Sequence, residues 1–142
     1  MILPLAIAAI YISQFTRISL ALLIFLLINY EFLTFSTSLN FSQLTQTIIS
    51  FSLVPLGFLW NSWEGFAAGI VIGAALVFVF QIIDIEREDH LIPFEKRIPA
   101  ICTSFLYTGI LGSMLVVVAK EFSADKVLYL LLLVVITDTC AY

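Results

Sequence analysis

The sequence predicts an all-α fold, a polytopic transmembrane helical bundle of about six hydrophobic segments forming one domain over residues 1–142. The first observation behind this is composition: 62% of residues are hydrophobic and 11% charged, whereas a soluble domain is roughly half apolar and a quarter charged. The second is distribution, because the apolar residues fall in long blocks separated by short polar stretches, the pattern that bilayer-spanning helices require. The third is that half of the acidic residues behind the formal net charge of −4 are gathered in one loop. No basic stripe is present, which excludes nucleic-acid binding as a function class.

Met1 to Ser13 is apolar but about thirteen residues long, short of the roughly twenty that cross a bilayer as a helix. It is read as a tilted or shortened helix, or as the end of a longer one. Without a basic region before it or a small-x-small site after it, it is expected to be retained rather than cleaved. Gln14 to Arg17 is expected to be a polar break. Ser19 to Phe35 is a strong crossing, with Asn29-Tyr30-Glu31-Phe32 expected at its interfacial end, where aromatic side chains meet headgroups.

Ser36 to Thr47, uncharged and rich in Ser, Thr, Asn and Gln, is expected to be a loop. Ile48 to Trp60 is the next apolar run and carries Pro55 and Gly57. Asn61-Ser62-Trp63-Glu64-Gly65 then makes a short polar connection beside two tryptophans at interfacial depth. Phe66 to Ile83 is a further crossing, in which Gly69 and Gly73 have the small-x-x-x-small spacing that permits close helix approach.

Asp84 to Arg97 holds Asp84, Glu86, Glu88, Asp89 and Glu95 against Arg87, Lys96 and Arg97. It reads as a solvated hairpin or short helix, broken at Pro93 and closed by Pro99. Ala100 to Ala119 is another crossing, whose Thr103, Ser104, Tyr107, Thr108, Gly109, Gly112 and Ser113 are expected to face neighbouring helices. Lys120 to Lys126 is a short loop, and Val127 to Ile136 begins the last helix. Numbering the loops alternately puts Arg17, Lys120 and Lys126 on one side and Arg87, Lys96 and Arg97 on the other, which leaves the positive-inside rule silent. Cys102 and Cys140 lie in apolar surroundings without a CxxC or a histidine cluster, and are read as small buried side chains.

The leading chemical candidate is Asp138, in Ile136-Thr137-Asp138-Thr139-Cys140-Ala141-Tyr142. A carboxylate at the end of an apolar run is costly unless it meets water, a metal or a buried partner. It is suited to hold Mg2+, with Thr139, Cys140 and Ala141 leaving room for a phosphate-bearing substrate; equally, it can cap or hydrate an interfacial helix end. Glu31 is read first as an interface residue, His90 as a solvated loop histidine, and the acidic loop as a hydrated face.

Leu133-Val134-Val135-Ile136-Thr137-Asp138-Thr139-Cys140-Ala141-Tyr142 resembles an internal segment of the phosphatidate cytidylyltransferases, the CDP-diacylglycerol synthases, where apolar residues precede Thr/Ala-Asp-Thr/Ser-Gly-Ala-Tyr. Tyr30-Glu31-Phe32 and Tyr107-Thr108-Gly109-Ile110-Leu111-Gly112-Ser113 are weaker matches in the family's order. The resemblance implies a multi-pass enzyme of the bacterial inner membrane that transfers the cytidylyl group of CTP to phosphatidic acid, giving CDP-diacylglycerol and pyrophosphate. It further implies membrane lipids as surroundings and a homodimer as one assembly state. Asp138 would be the catalytic and metal-binding carboxylate of a Mg2+-dependent cavity, where cations offset the charge built up at the attacked α-phosphorus.

Cys140 stands where that family has Gly, and the family's downstream Ser-x-Lys-Arg, Lys-Asp and His-Gly-Gly-x-x-Asp-Arg signature is absent from these 142 residues. The expectation is therefore a partial enzyme, inactive by itself. Two other classes compete with it: a noncatalytic membrane scaffold or packing subunit associating through its Gly and Ala faces, and a transporter fragment with Asp138 as an ion site.

Overall fold

In the computed structural model, which describes residues 10–36, 41–85 and 94–130, residues 10–12 are helical, Ser13 leaves helical geometry, and a long helix begins directly after it. The Thr16 amide donates to Ser13 Oγ at 3.2 Å and the Ser13 amide donates to Thr16 Oγ1 at 3.1 Å, a reciprocal cap. Helix α1 (Gln14–Ser36) follows. The polar break expected over Gln14 to Arg17 is thus confined to Ser13, because the cap lets those four residues form the first helical turn.

The second element, Phe41–Ile85, contains two residues with non-helical backbone, Asn61 (φ −134°, ψ 38°) and Ser62 (φ 50°, ψ −131°). The chain reverses there. A Cβ placed on Gly57 would collide with the Gly65 carbonyl, one on Gly69 would lie 2.5 Å from the Leu53 oxygen, and one on Gly73 would lie 2.7 Å from the Ser50 oxygen. Eight residues of continuous helix would hold Gly57 and Gly65 about 12 Å apart, so these approaches require two antiparallel arms, α2 (41–60) and α3 (63–85). Across the turn Asn61 Nδ2 donates to Glu64 Oε2 at 3.1 Å, while Phe58, Trp63 and Phe66 pack edge to face.

Ser62 holds a positive φ that favours glycine. We expect Ser62→Gly to stabilise the protein by about 1 kcal/mol, since relief of backbone strain, about 1–3 kcal/mol, exceeds the entropy that glycine adds to the unfolded chain. A lower melting temperature for the variant in detergent would contradict this.

The loop expected over Ser36 to Thr47 is corrected, since helix α2 already begins at Phe41. The hydroxyls of Thr45, Thr47, Ser50 and Ser52 each donate to the carbonyl four residues earlier, at 2.8–3.0 Å. This satisfies their polar atoms within the helix, so an uncharged Ser/Thr-rich stretch stays helical in an apolar setting.

Helix α4 (Phe94–Ser104) continues through a π-helical turn (Phe105–Ile110) into α5 (Leu111–Glu121). Pro93 lies outside the described residues, and Pro99, expected to close the loop, sits inside α4 instead. The chain breaks at Phe122 and Ser123, and residues 124–130 begin α6, whose Lys126 and Val127 amides donate to the Ser123 carbonyl. The expected loop near Lys120 to Lys126 is therefore present but narrower.

Among the described residues three helices are long and apolar enough to cross a membrane: Gln14–Phe35, Phe41–Ile83 and Ile98–Glu121. The middle one is the hairpin, with arms of about 30 and 34 Å. Large apolar side chains are exposed along the outer faces, among them Leu23, Leu27, Val71, Ile72, Val79 and Ile82, as expected of lipid-facing surfaces. Inside, Phe25, Leu33, Phe51, Val54, Phe58 and Ile101 form the core. The multi-pass membrane character follows from these helices; residues 1–9 and 131–142, which carry most of the outermost of the six expected segments, lie outside the described residues.

The start of α1, the hairpin turn and the end of α5 share one end of the bundle. Gln14 Nε2 donates to the Lys120 carbonyl at 2.9 Å, and Lys120 Nζ donates to the Phe58 carbonyl at 3.1 Å. Arg17 Nη1 donates to the Phe122 carbonyl at 3.2 Å. Arg17 and Lys120 are thereby grouped as the alternating loop count requires. At this end Tyr11 Oη also donates to Asp125 Oδ1 at 2.8 Å, a bond that raises the phenol above its ordinary pKa.

Candidate functional site

Two of the three family-like segments lie within the described residues, and a buried polar contact joins the helices that carry them. Asn29, next to Tyr30-Glu31-Phe32, has no exposed surface. Its Nδ2 donates to the Phe25 carbonyl at 2.7 Å and to the Thr108 carbonyl of the neighbouring helix at 3.4 Å. Thr108 Oγ1 lies 2.8 Å from Asn29 Oδ1 and 2.9 Å from the Ser104 carbonyl, so its single proton is shared between two acceptors.

Thr108 belongs to the π turn, which overlaps the family-like stretch Tyr107 to Ser113. Such a turn widens the helix and disturbs the ordinary carbonyl pairing. Here the Leu111 amide reaches back to the Leu106 carbonyl, while side chains serve the carbonyls of Ser104 and Thr108. Gly109 lets the turn pack against Phe51, where a Cβ would sit 3.4 Å from the ring, and Phe51 meets Phe105 edge to face at 5.1 Å.

Asn29 therefore faces the neighbouring helix from within the stretch expected at the interfacial end of its crossing. Ala21, Phe25, Asn29 and Leu33 recur every four residues on one buried row of α1, and that spacing was the signal for it. The polar residues expected to face neighbours from Ala100 to Ala119 also divide: Ser104, Thr108 and Ser113 are buried, whereas Thr103 and Tyr107 are exposed.

Replacing Asn29 by Leu is expected to cost about 2 kcal/mol, because the Thr108 carbonyl loses its buried donor and the Thr108 hydroxyl loses one of its acceptors. In a double-mutant cycle with Thr108→Val, read by unfolding in mixed micelles, the pair should show a coupling of about 0.6–1.7 kcal/mol. Strict additivity would remove the pair from the account of this turn.

Glu31 is exposed and borders a shallow cavity of about 370 Å³ with Ile28, Phe32 and Phe35. One exposed carboxylate among apolar side chains does not form a magnesium site, and no group of three His, Cys, Asp or Glu that could hold a metal occurs among the described residues. Asp138, with Thr139, Cys140, Ala141 and Tyr142, lies outside the described residues, as does His90. Cys102 is half-buried and free.

A second polar group was not anticipated as such. Gln43, Thr47, Ser50 and Gln81 are buried in the hairpin arms, and the Oε1 atoms of Gln46 and Gln81 are buried without a donor among the described residues. Compared with protein-family models, curated proteins and solved structures, the chain matches none.

Proposed function

We propose that this chain is the amino-terminal portion of a phosphatidate cytidylyltransferase of about six hydrophobic segments, lying in a bacterial inner membrane. The observation that carries the reading is the apolar run ending in Thr137-Asp138-Thr139-Cys140-Ala141-Tyr142. Support comes from the Asn29–Thr108 contact, which joins the helices bearing the two weaker family-like segments. In this reading Asp138 is the catalytic-site carboxylate that helps hold Mg2+, and the cation supplies Lewis acidity where CTP and phosphatidic acid react. The apolar outer faces suit a reactant whose acyl chains stay in the bilayer.

A packing subunit would present its glycines to a partner. Gly57, Gly65, Gly69 and Gly73 are instead taken up by close contacts within the chain's own hairpin, so these four glycines lend the scaffold reading no support.

The test is CDP-diacylglycerol formation from CTP and phosphatidic acid with Mg2+. A polypeptide that carries these residues together with the Ser-x-Lys-Arg and Asp-Arg motifs is expected to form product, and the 142-residue chain alone is expected to form none. Product from the short chain would overturn its incompleteness. An inert longer polypeptide that moves solute across vesicle membranes would replace the enzyme by a transporter.

A further inference from the structure

A cleft of about 280 Å³ opens between α1, α5 and α6, at the end of the bundle that holds the hairpin turn. Its walls are apolar, including Leu20, Ile24 and Ile28 of α1, Val118 of α5, and Val127 and Leu130 of α6, and Arg17 is the one charged residue among the described residues that line it. From Arg17 to Ile28 the wall runs about 16 Å along α1. The cleft is thus elongated and greasy, with a cation at one extremity.

Arg17 is incompletely paired. Its Nη1 donates to the Phe122 carbonyl, but its Nε is buried and has no acceptor among the described residues. The other two described cations at this end are occupied differently: Lys120 lies over the Phe58 ring and donates to a carbonyl, and Lys126 lies over the Phe122 ring. A basic residue in the first turn of a helix also opposes the helix dipole, so Arg17 stands where an anion would relieve two costs together. Its Nε–H and a neighbouring Nη–H form the side-on fork that takes two oxygens of a phosphate.

We propose that this cleft binds one acyl chain of a resident anionic phospholipid, with the lipid phosphodiester on the Arg17 guanidinium. Charge complementarity selects the headgroup and the apolar walls select the chain. Arg17 lies about 21 Å along α1 from Glu31, and the proposal is independent of the cytidylyltransferase reading.

The full chain, purified and delipidated, would be offered equimolar phosphatidylglycerol and phosphatidylcholine of matched acyl chains, and its bound lipid counted by native mass spectrometry. Phosphatidylglycerol is expected to be retained about fivefold over phosphatidylcholine, the increment of one arginine near an anionic lipid. Arg17→Gln should bring the two lipids close to parity, Arg17→Lys should keep only part of the preference, and Ile24→Trp should displace both by filling the cleft. Equal retention by the wild-type chain overturns the proposal and needs no variant. A preference that survives Ile24→Trp also overturns it, because the anion would then be held outside the cleft.

Discussion

Gly65→Leu is expected to destroy the folded hairpin. A Cβ at Gly65 meets the carbonyl of Gly57, and a Cβ at Gly57 meets the carbonyl of Gly65, so each glycine faces backbone rather than the movable tip of a side chain. The next glycine pair of contacts down the arms, Gly69 on Leu53 and Gly73 on Ser50, prevents the arms from separating locally to admit a larger residue. Overpacking of an ordinary core costs about 1–3 kcal/mol when neighbours shift. With backbone on both sides, a loss of at least about 3 kcal/mol is expected, or more than a hundredfold in the folded fraction.

Two readouts should move together in that variant. Its thermal transition should fall far below that of Val71→Leu, a change at an exposed position of the same hairpin. Alkylation of half-buried Cys102 should also accelerate, because that thiol lines a cleft with Ile70, Ala74, Val77 and Phe78 of α3. A Gly65→Leu protein that melts with the wild type would show that the arms do not approach as described.

What the sequence discloses of this fold depends on whether one residue type has one physical meaning. Long apolar runs do, and the crossings through Ser19 to Phe35, Phe66 to Ile83 and Ala100 to Ala119 are helical as expected. The Asn61 to Gly65 connection was also legible, since its polar residues separate the apolar runs Ile48 to Trp60 and Phe66 to Ile83, and the chain reverses there. Serine and threonine are ambiguous because their hydroxyls can open a loop or bond back to a helical carbonyl. At Thr45, Thr47, Ser50 and Ser52 the second use prevails, and the part of the expected loop from Phe41 onward is helix.

Gly69 and Gly73 announced close packing but not its partner, and the partner is the chain's own preceding arm rather than another subunit. The π turn left no periodic trace of its own. It depends on Asn29 and Thr108, 79 positions apart, and only the folded chain places an amide beside a widened turn. The site is less legible still: its most specific residue by resemblance, Asp138, lies outside the described residues, whereas Glu31 and the Asn29–Thr108 pair can be placed.

Asp138→Asn in the longer, active polypeptide should separate the two roles open to this carboxylate, because they predict opposite balances of stability and rate. Asn keeps the size and most of the hydrogen-bonding shape of Asp while removing the charge. A carboxylate held in an apolar stretch for chemistry is paid for in stability, so its neutral replacement should leave the melting temperature unchanged or higher. Loss of the charge that anchors a cation against two phosphate-bearing reactants should meanwhile remove several kcal/mol of transition-state stabilisation. That corresponds to a fall of at least about a hundredfold in kcat/KM. If Asp138 only caps a helix end, Asn is itself a good cap, so stability and rate should both stay near wild type. A slow enzyme that melts no lower therefore supports the catalytic reading, and a normal rate removes Asp138 from it.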